Sequence, residues 1–184
     1  MRKESTDLRV KRTTRSIRQA FYELVLVKDY SQISITELAD RAYINRKTFY
    51  LHYSSLDELM KELEEEMAQD MLEHLEKDAK NLDVAGCISV FYHYLNNGDE
   101  LHKRLLCSES YHFFYSGVVD HILHSEFFQR FYDRTRHPDL VRAYCVGITG
   151  IFRTWYNHPG DMTIEELISY AGRLMVRGYE SVVE

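Results

Sequence analysis

The chain has 184 residues, 45% apolar and 28% charged, with 23 basic and 29 acidic side chains and a net charge of −6. That apolar share excludes a wholly disordered chain. No run of 18 uncharged apolar residues is present to span a membrane, and the charged opening at residues 1–7 is not a secretory signal.

In chain order, Ile17, Ala20, Phe21, Leu24 and Val25 repeat at helical spacing and predict a first helix over about residues 9–28. Ser34-Ile35-Thr36-Glu37 fits a capping box and opens a second helix to about residue 42. After the turn Tyr43-Ile44-Asn45, Asn45 caps a short third helix over 46–53. Two short helices so tightly joined can bury Leu38, Ala39, Ala42, Ile44 and Phe49 only against each other and the first helix, which predicts a helix-turn-helix on a three-helix core.

Ser55-Leu56-Asp57-Glu58 opens a long helix to about residue 79, carrying Leu59, Leu63, Met67, Met71 and Leu75 on one face. The run Glu62, Glu64, Glu65, Glu66 reads as its solvated side. Further helices are expected over about 83–97, 99–107, 109–134, 138–158 and 163–183, giving an all-α chain of about nine helices. It is expected to divide into a head over 1–54 and a helical body over 55–184.

Charge follows the same division. Residues 1–53 hold 11 Lys/Arg against 6 Asp/Glu, and the remainder 12 against 23. One end is thus suited to a polyanion and the rest is repelled by it. In a helix-turn-helix the second helix enters the DNA major groove N-terminus first, which selects Arg46, Lys47 and Thr48 for base edges. Tyr50 and His52 follow where a phosphate backbone would pass. Ser34 and Thr36 open the preceding helix, whose free N–H groups attract anions. Arg9, Lys11, Arg12 and Arg15 form an N-terminal arm adding attraction that does not read sequence.

The stretch from Ile33 to Tyr53, with its Thr48-Phe49-Tyr50-x-His52-Tyr53 core and the following Ser55-Leu56-Asp57-Glu58-Leu59, resembles the DNA-binding signature of the tetracycline-repressor (TetR/AcrR) family of bacterial regulators. The resemblance covers residues 10–60. It implies a homodimer on a pseudo-palindromic double-stranded DNA operator, and the absence of a secretory signal and of a disulfide framework gives a cytoplasmic expectation. It also implies a repressor released by a small-molecule effector, or an activator answering to a protein co-regulator. Carried over by position, the DNA contacts are Ser34, Thr36, Arg46, Lys47, Thr48, Tyr50 and His52. The family commonly has glycine where Tyr43 stands and often lysine where Leu56 stands. The stretch from Gly147 to Tyr156 and the Thr163-Ile164-Glu165-Glu166-Leu167 cap are similar to the C-terminal domain of a branch that includes dihydroxyacetone-kinase gene regulators.

Val141, Tyr144, Cys145, Ile148, Ile151, Phe152 and Trp155 form a wide apolar stripe, and Ile164, Leu167, Ile168, Ala171, Leu174 and Met175 form another. These last two helices suit a homodimer interface or the core of one chain. The aromatic, histidine-rich middle offers Tyr92, His93, Tyr111, Phe114, Tyr115 and, from the later stripe, Trp155 as candidate ligand-binding residues, the alternative being solid core. His121 and His124 share a helical spacing, but no histidine or cysteine cluster has zinc-ligand spacing, so neither metal nor cofactor is expected. The three cysteines, Cys87, Cys107 and Cys145, read as buried thiols in a reducing compartment. With no nucleophile elbow or phosphate loop, no enzyme is expected.

Overall fold

The computed structural model of the protein describes residues 2–78 and 83–182, with side chains from residue 8. The described residues form ten α-helices and no strand. The protein divides into two compact units, residues 1–62 and 63–184.

In the first unit, α1 (Arg2–Val27) buries the expected face: Ile17, Phe21, Leu24 and Val25 are fully covered. They pack with Leu38 and Ala39 of α2 (Ile35–Arg41), Phe49 of α3 (Arg46–Phe49), and Tyr53, Leu59 and Met60. Ile44 is only half-buried. The basic residues Arg9, Lys11, Arg12 and Arg15 lie within α1, which begins earlier than the expected residue 9. The start of α4 (Leu56–Asp78) belongs to this unit. There Glu62, expected to be solvated, pairs with Arg18 at 3.3 Å and accepts the Tyr53 hydroxyl at 3.3 Å.

Two cap details depart from the simple pattern. Ser34 accepts the Glu37 N–H at 3.2 Å, but the Glu37 carboxylate leaves the capping box to bind Lys28 at 2.7 Å. Ser55 accepts the Glu58 N–H at 3.1 Å, while the Glu58 side chain accepts from the Ser54 N–H, one residue earlier than expected. Those Ser54 contacts hold the Glu58 carboxyl below its usual range.

The second unit contains the remainder of α4 and six further helices: α5 (Val84–Asn97), α6 (Glu100–Cys107), α7 (His112–Leu123), α8 (Glu126–Tyr132), α9 (Pro138–Asn157) and α10 (Ile164–Glu180). The expected ends at residues 79 and 183 lie outside the described residues. The single helix expected over 109–134 is broken. A 3-10 turn at Glu109–Tyr111 precedes α7, and Ser125 then accepts the Phe128 N–H at 3.4 Å and starts α8. A serine able to cap competes with helix continuation, and here it wins.

Much of the aromatic middle is buried, including Phe91, Tyr92, Tyr111, Phe114, Phe127 and Phe131, while Phe113 is exposed. Tyr92 donates to Ile148 O at 2.6 Å, Tyr132 to Leu123 O at 2.8 Å and Tyr179 to Phe131 O at 2.8 Å, so these three hydroxyls end on helix carbonyls. An apolar cavity between Leu75, Ile88, Phe91, Val119, Cys145 and Met175 has only ≈ 30 Å³. Cys87, Cys107 and Cys145 are all buried, and burial pushes their thiols up to about 12, about 11 and about 12.

Helices α9 and α10 pack on this core. Of the α9 stripe, Val141, Cys145, Ile148 and Phe152 are buried within their own chain. The opposite face exposes Leu140, Ala143, Gly147 and Thr154, and a Cβ at Gly147 or Gly150 would meet nothing within 4 Å. On α10, Tyr170 and Leu174 are exposed. Gly178 has a different duty: a Cβ there would strike the Tyr144 ring at 2.4 Å. Its absence lets the Tyr144 hydroxyl reach Leu174 O.

Candidate nucleic-acid interface

Asn45 sets the start of α3. Its backbone is extended (φ −77°, ψ 147°), and its Oδ1 accepts the Lys47 N–H at 2.8 Å. Arg46 and Lys47 in the first turn are exposed, and Thr48 is half-buried. Phe49, one step further round, is fully covered in the core and fixes the helix by its buried face. Beyond it the chain tightens. Leu51 and His52 donate to carbonyls three residues back, at 3.2 and 2.8 Å, so the regular helix is shorter than the expected 46–53.

The remaining sequence-selected residues are spread around this element. Tyr50 is exposed and meets Phe49 edge-on, with ring centroids 5.6 Å apart. His52 is half-buried, with Nδ1 3.2 Å from the Thr14 hydroxyl of α1. In the tautomer with Thr14 donating, Nε2 carries the proton and is the atom left to donate outward. Thr36 is exposed in the first turn of α2, and Ser34 is its N-cap, so the Ser34 hydroxyl already serves the helix. Arg9, Lys11, Arg12 and Arg15 are exposed along α1. An open groove of about 1000 Å³ runs between α1 and α2, bordered by Arg15, Ser34, Thr36, Arg41 and Tyr43.

Tyr43 is a candidate the sequence reading treated only as a departure. It carries positive φ (55°) and is 96% exposed. The Ile44 N–H donates to Ala39 O at 3.0 Å and the Tyr43 N–H to Asp40 O at 3.1 Å. That is a Schellman ending, which places Tyr43 at the left-handed position usually given to glycine. Left-handed backbone costs a side-chain-bearing residue about 1–2 kcal/mol, partly offset by glycine's greater unfolded entropy. Tyr43→Gly is therefore expected to stabilise the first unit by about 0.5–1 kcal/mol in chemical denaturation. Loss of stability would remove the strain account. An exposed aromatic kept in a strained turn is the signal that could have marked it as functional.

Of the candidate ligand residues, Tyr92 and Trp155 both meet the Phe152 ring, at centroid separations of 5.3 and 5.6 Å. Tyr92, Tyr111 and Phe114 are fully covered and Tyr115 nearly so. His93 is exposed, and Trp155 is half-buried with Nε1 donating to Met162 O at 2.9 Å. Burial pushes the Tyr115 hydroxyl up to about 12. The imidazoles of His121 and His124 turn back on Gly117 O at 2.9 Å and Asp120 O at 2.8 Å. Among the described residues no group of three histidine, cysteine or acidic side chains could hold a metal, and no helix is long and apolar enough to cross a membrane.

No family model matches the chain. The chain is 31% identical over 75 residues to the HTH-type transcriptional regulator YxbF of Bacillus subtilis, a match covering 40% of this chain and 20% of that protein. An HTH-type transcriptional regulator of Haemophilus influenzae is 28% identical over 96 residues, covering 50% of this chain and 47% of that one. The chain thus spans about a fifth and about half the length of these curated relatives. Among solved structures, a TetR transcriptional regulator from Streptococcus agalactiae superposes with a TM-score of 0.68 at 23% identity, covering 94% of this chain and 98% of that one. The dihydroxyacetone kinase operon activator DhaS superposes at 0.51 and 19% identity, with the same coverage.

Proposed function

We propose that this chain, which has the all-α fold of its TetR/AcrR-type structural neighbours, is a sequence-specific regulator of transcription that binds double-stranded DNA through α3. The observation that carries the reading is the placement of Arg46 and Lys47. They are exposed in the first turn of a helix that is capped by Asn45 and anchored by the buried Phe49. Arg46 has the fork to read guanine O6 and N7, and Lys47 reaches guanine or phosphate. Thr48, Tyr50 and His52 flank them, with Ser34 and Thr36 at the opening of α2. Tyr43 joins this group as a phosphate contact. The positive residues of α1 supply attraction that falls with salt.

The protein acts as a homodimer. The faces for it are the outer sides of α9 and α10, where Leu140, Tyr170 and Leu174 are exposed and Gly147 leaves room for another backbone. Two copies present two α3 helices to successive major grooves of a pseudo-palindrome, about 34–36 Å apart. A signal to the body changes that spacing through α4, the helix that runs through both units. As a repressor the protein leaves its operator when an effector binds. A tenfold loss of affinity needs only about 1.4 kcal/mol of differential binding. The enclosed cavity of ≈ 30 Å³ favours a second reading, in which a protein co-regulator supplies the signal and the regulator is an activator.

Fluorescence anisotropy against duplexes from the flanking intergenic DNA, over a salt series, tests this. A preference of about 10³ or more over a scrambled duplex is the expected result. Weak, equal binding of both duplexes with one steep salt slope overturns it. Arg46→Ala is expected to cost about 1–3 kcal/mol and relax preference at one base pair, whereas Tyr50→Phe weakens all duplexes alike.

A further inference from the structure

A groove of about 640 Å³ runs between α7 and α9, apart from the small apolar cavity. Its wall includes Arg153, only 6% exposed although cationic. A buried charge is costly unless paired and fully hydrogen-bonded, and this one is incompletely served. Nη2 donates to Ser108 O at 2.9 Å, Nη1 meets His112 Nδ1, and the Tyr115 ring lies 4.7 Å from the guanidinium carbon. The carboxylate beside it, Glu109, is 3.8 Å away and 84% exposed, too hydrated to neutralise a desolvated cation. Arg153 Nε is buried with no hydrogen-bond partner among the described residues. The Tyr115 hydroxyl is buried too, with Thr149 near but no hydrogen bond of normal geometry among the described residues.

The geometry points to this groove as a binding site for a small organic monocarboxylate, with Arg153 as its anchor. An incoming carboxylate replaces Glu109 at Nη2. A small turn of the guanidinium then brings Nε to the second oxygen and completes the fork. Val119 and Val146 offer apolar wall to the remainder of the ligand, and Ser116 and Asn157 offer neutral polar tips. Glu109 and Asp120 border the same groove and repel a doubly charged phosphate, so a single negative charge is selected. As the seat of an effector the site rests on the regulatory reading above. As a binding site it stands alone.

The test is calorimetric titration of the full chain, without DNA, with sodium acetate, butyrate and benzoate against benzamide at matched ionic strength. Saturable benzoate binding with none for benzamide is the expected result. Arg153→Met weakens it at least about tenfold. Glu109→Gln removes the competing carboxylate and tightens it about threefold. Should Arg153→Met fail to fold, Ser116→Phe carries the test, since Ser116 is an exposed residue of the groove and its replacement must block entry. The site is overturned by no heat from any of the three carboxylates, by equal heats for benzoate and benzamide, by unchanged binding in Ser116→Phe, or by looser binding in Glu109→Gln. Because the titration contains no DNA, its failure leaves operator binding standing, and failure of operator binding leaves the titration unaffected.

Discussion

Phe49→Ala is expected to destabilise the first unit by about 3–5 kcal/mol and to abolish the preference for a specific over a scrambled duplex. The ring is fully covered and lies 5.8 Å from the Tyr53 ring and 5.6 Å from that of Tyr50. The element it anchors is four residues long, far below the length at which a helix persists unaided in water. Tertiary anchoring therefore supplies nearly all of its order. Truncating the anchor releases Arg46 and Lys47 together, whereas Arg46→Ala removes one proposed base contact from an intact frame. A circular dichroism melt paired with the anisotropy assay separates the two. A loss under about 1 kcal/mol with that preference intact would mean that α3 is held by something other than its buried ring.

In the body the corresponding substitution is Phe152→Ala, also expected to cost about 3–5 kcal/mol. Phe152 is fully covered and touches Tyr92, Trp155 and Tyr156 at ring separations of 5.3, 5.6 and 6.1 Å. The Tyr92 hydroxyl is tied to Ile148 O, so that neighbour cannot readily collapse into the space left behind. Phe152→Leu, which keeps most of the volume, should cost appreciably less. Similar melts for the two variants would show that the cluster repacks freely and is not the rigid core described above.

The head was legible because its signals are local. Asn45 caps within two residues, and the buried face of α1 repeats every turn. What escaped involved competition from elsewhere in the molecule. Glu37 is placed to close a capping box, but Lys28 offers it a full charge. The end of α3 tightens because Phe49 and Tyr53 must both turn into one core, which periodicity does not reveal. The α9 stripe was read correctly as apolar, yet an apolar face does not say which chain will cover it. Val141, Cys145, Ile148 and Phe152 are covered by their own. Residue type alone does not separate Tyr92, tied to Ile148 O, from Tyr115, whose buried hydroxyl has no hydrogen-bond partner among the described residues. Arg153 lies within the Gly147–Tyr156 stretch, where its burial cannot be seen in one dimension.

The inaccessible thiols have a practical consequence. With Cys87, Cys107 and Cys145 buried and held protonated, the native fold should react slowly with maleimides or methanethiosulfonates, which attack the thiolate. A single engineered cysteine at Leu51, 83% exposed beside α3, would then be the preferred attachment point for a spin label without removal of any native residue. Pulsed electron resonance on such a sample would report the distance between the two α3 helices of the proposed dimer directly, with and without a carboxylate in solution.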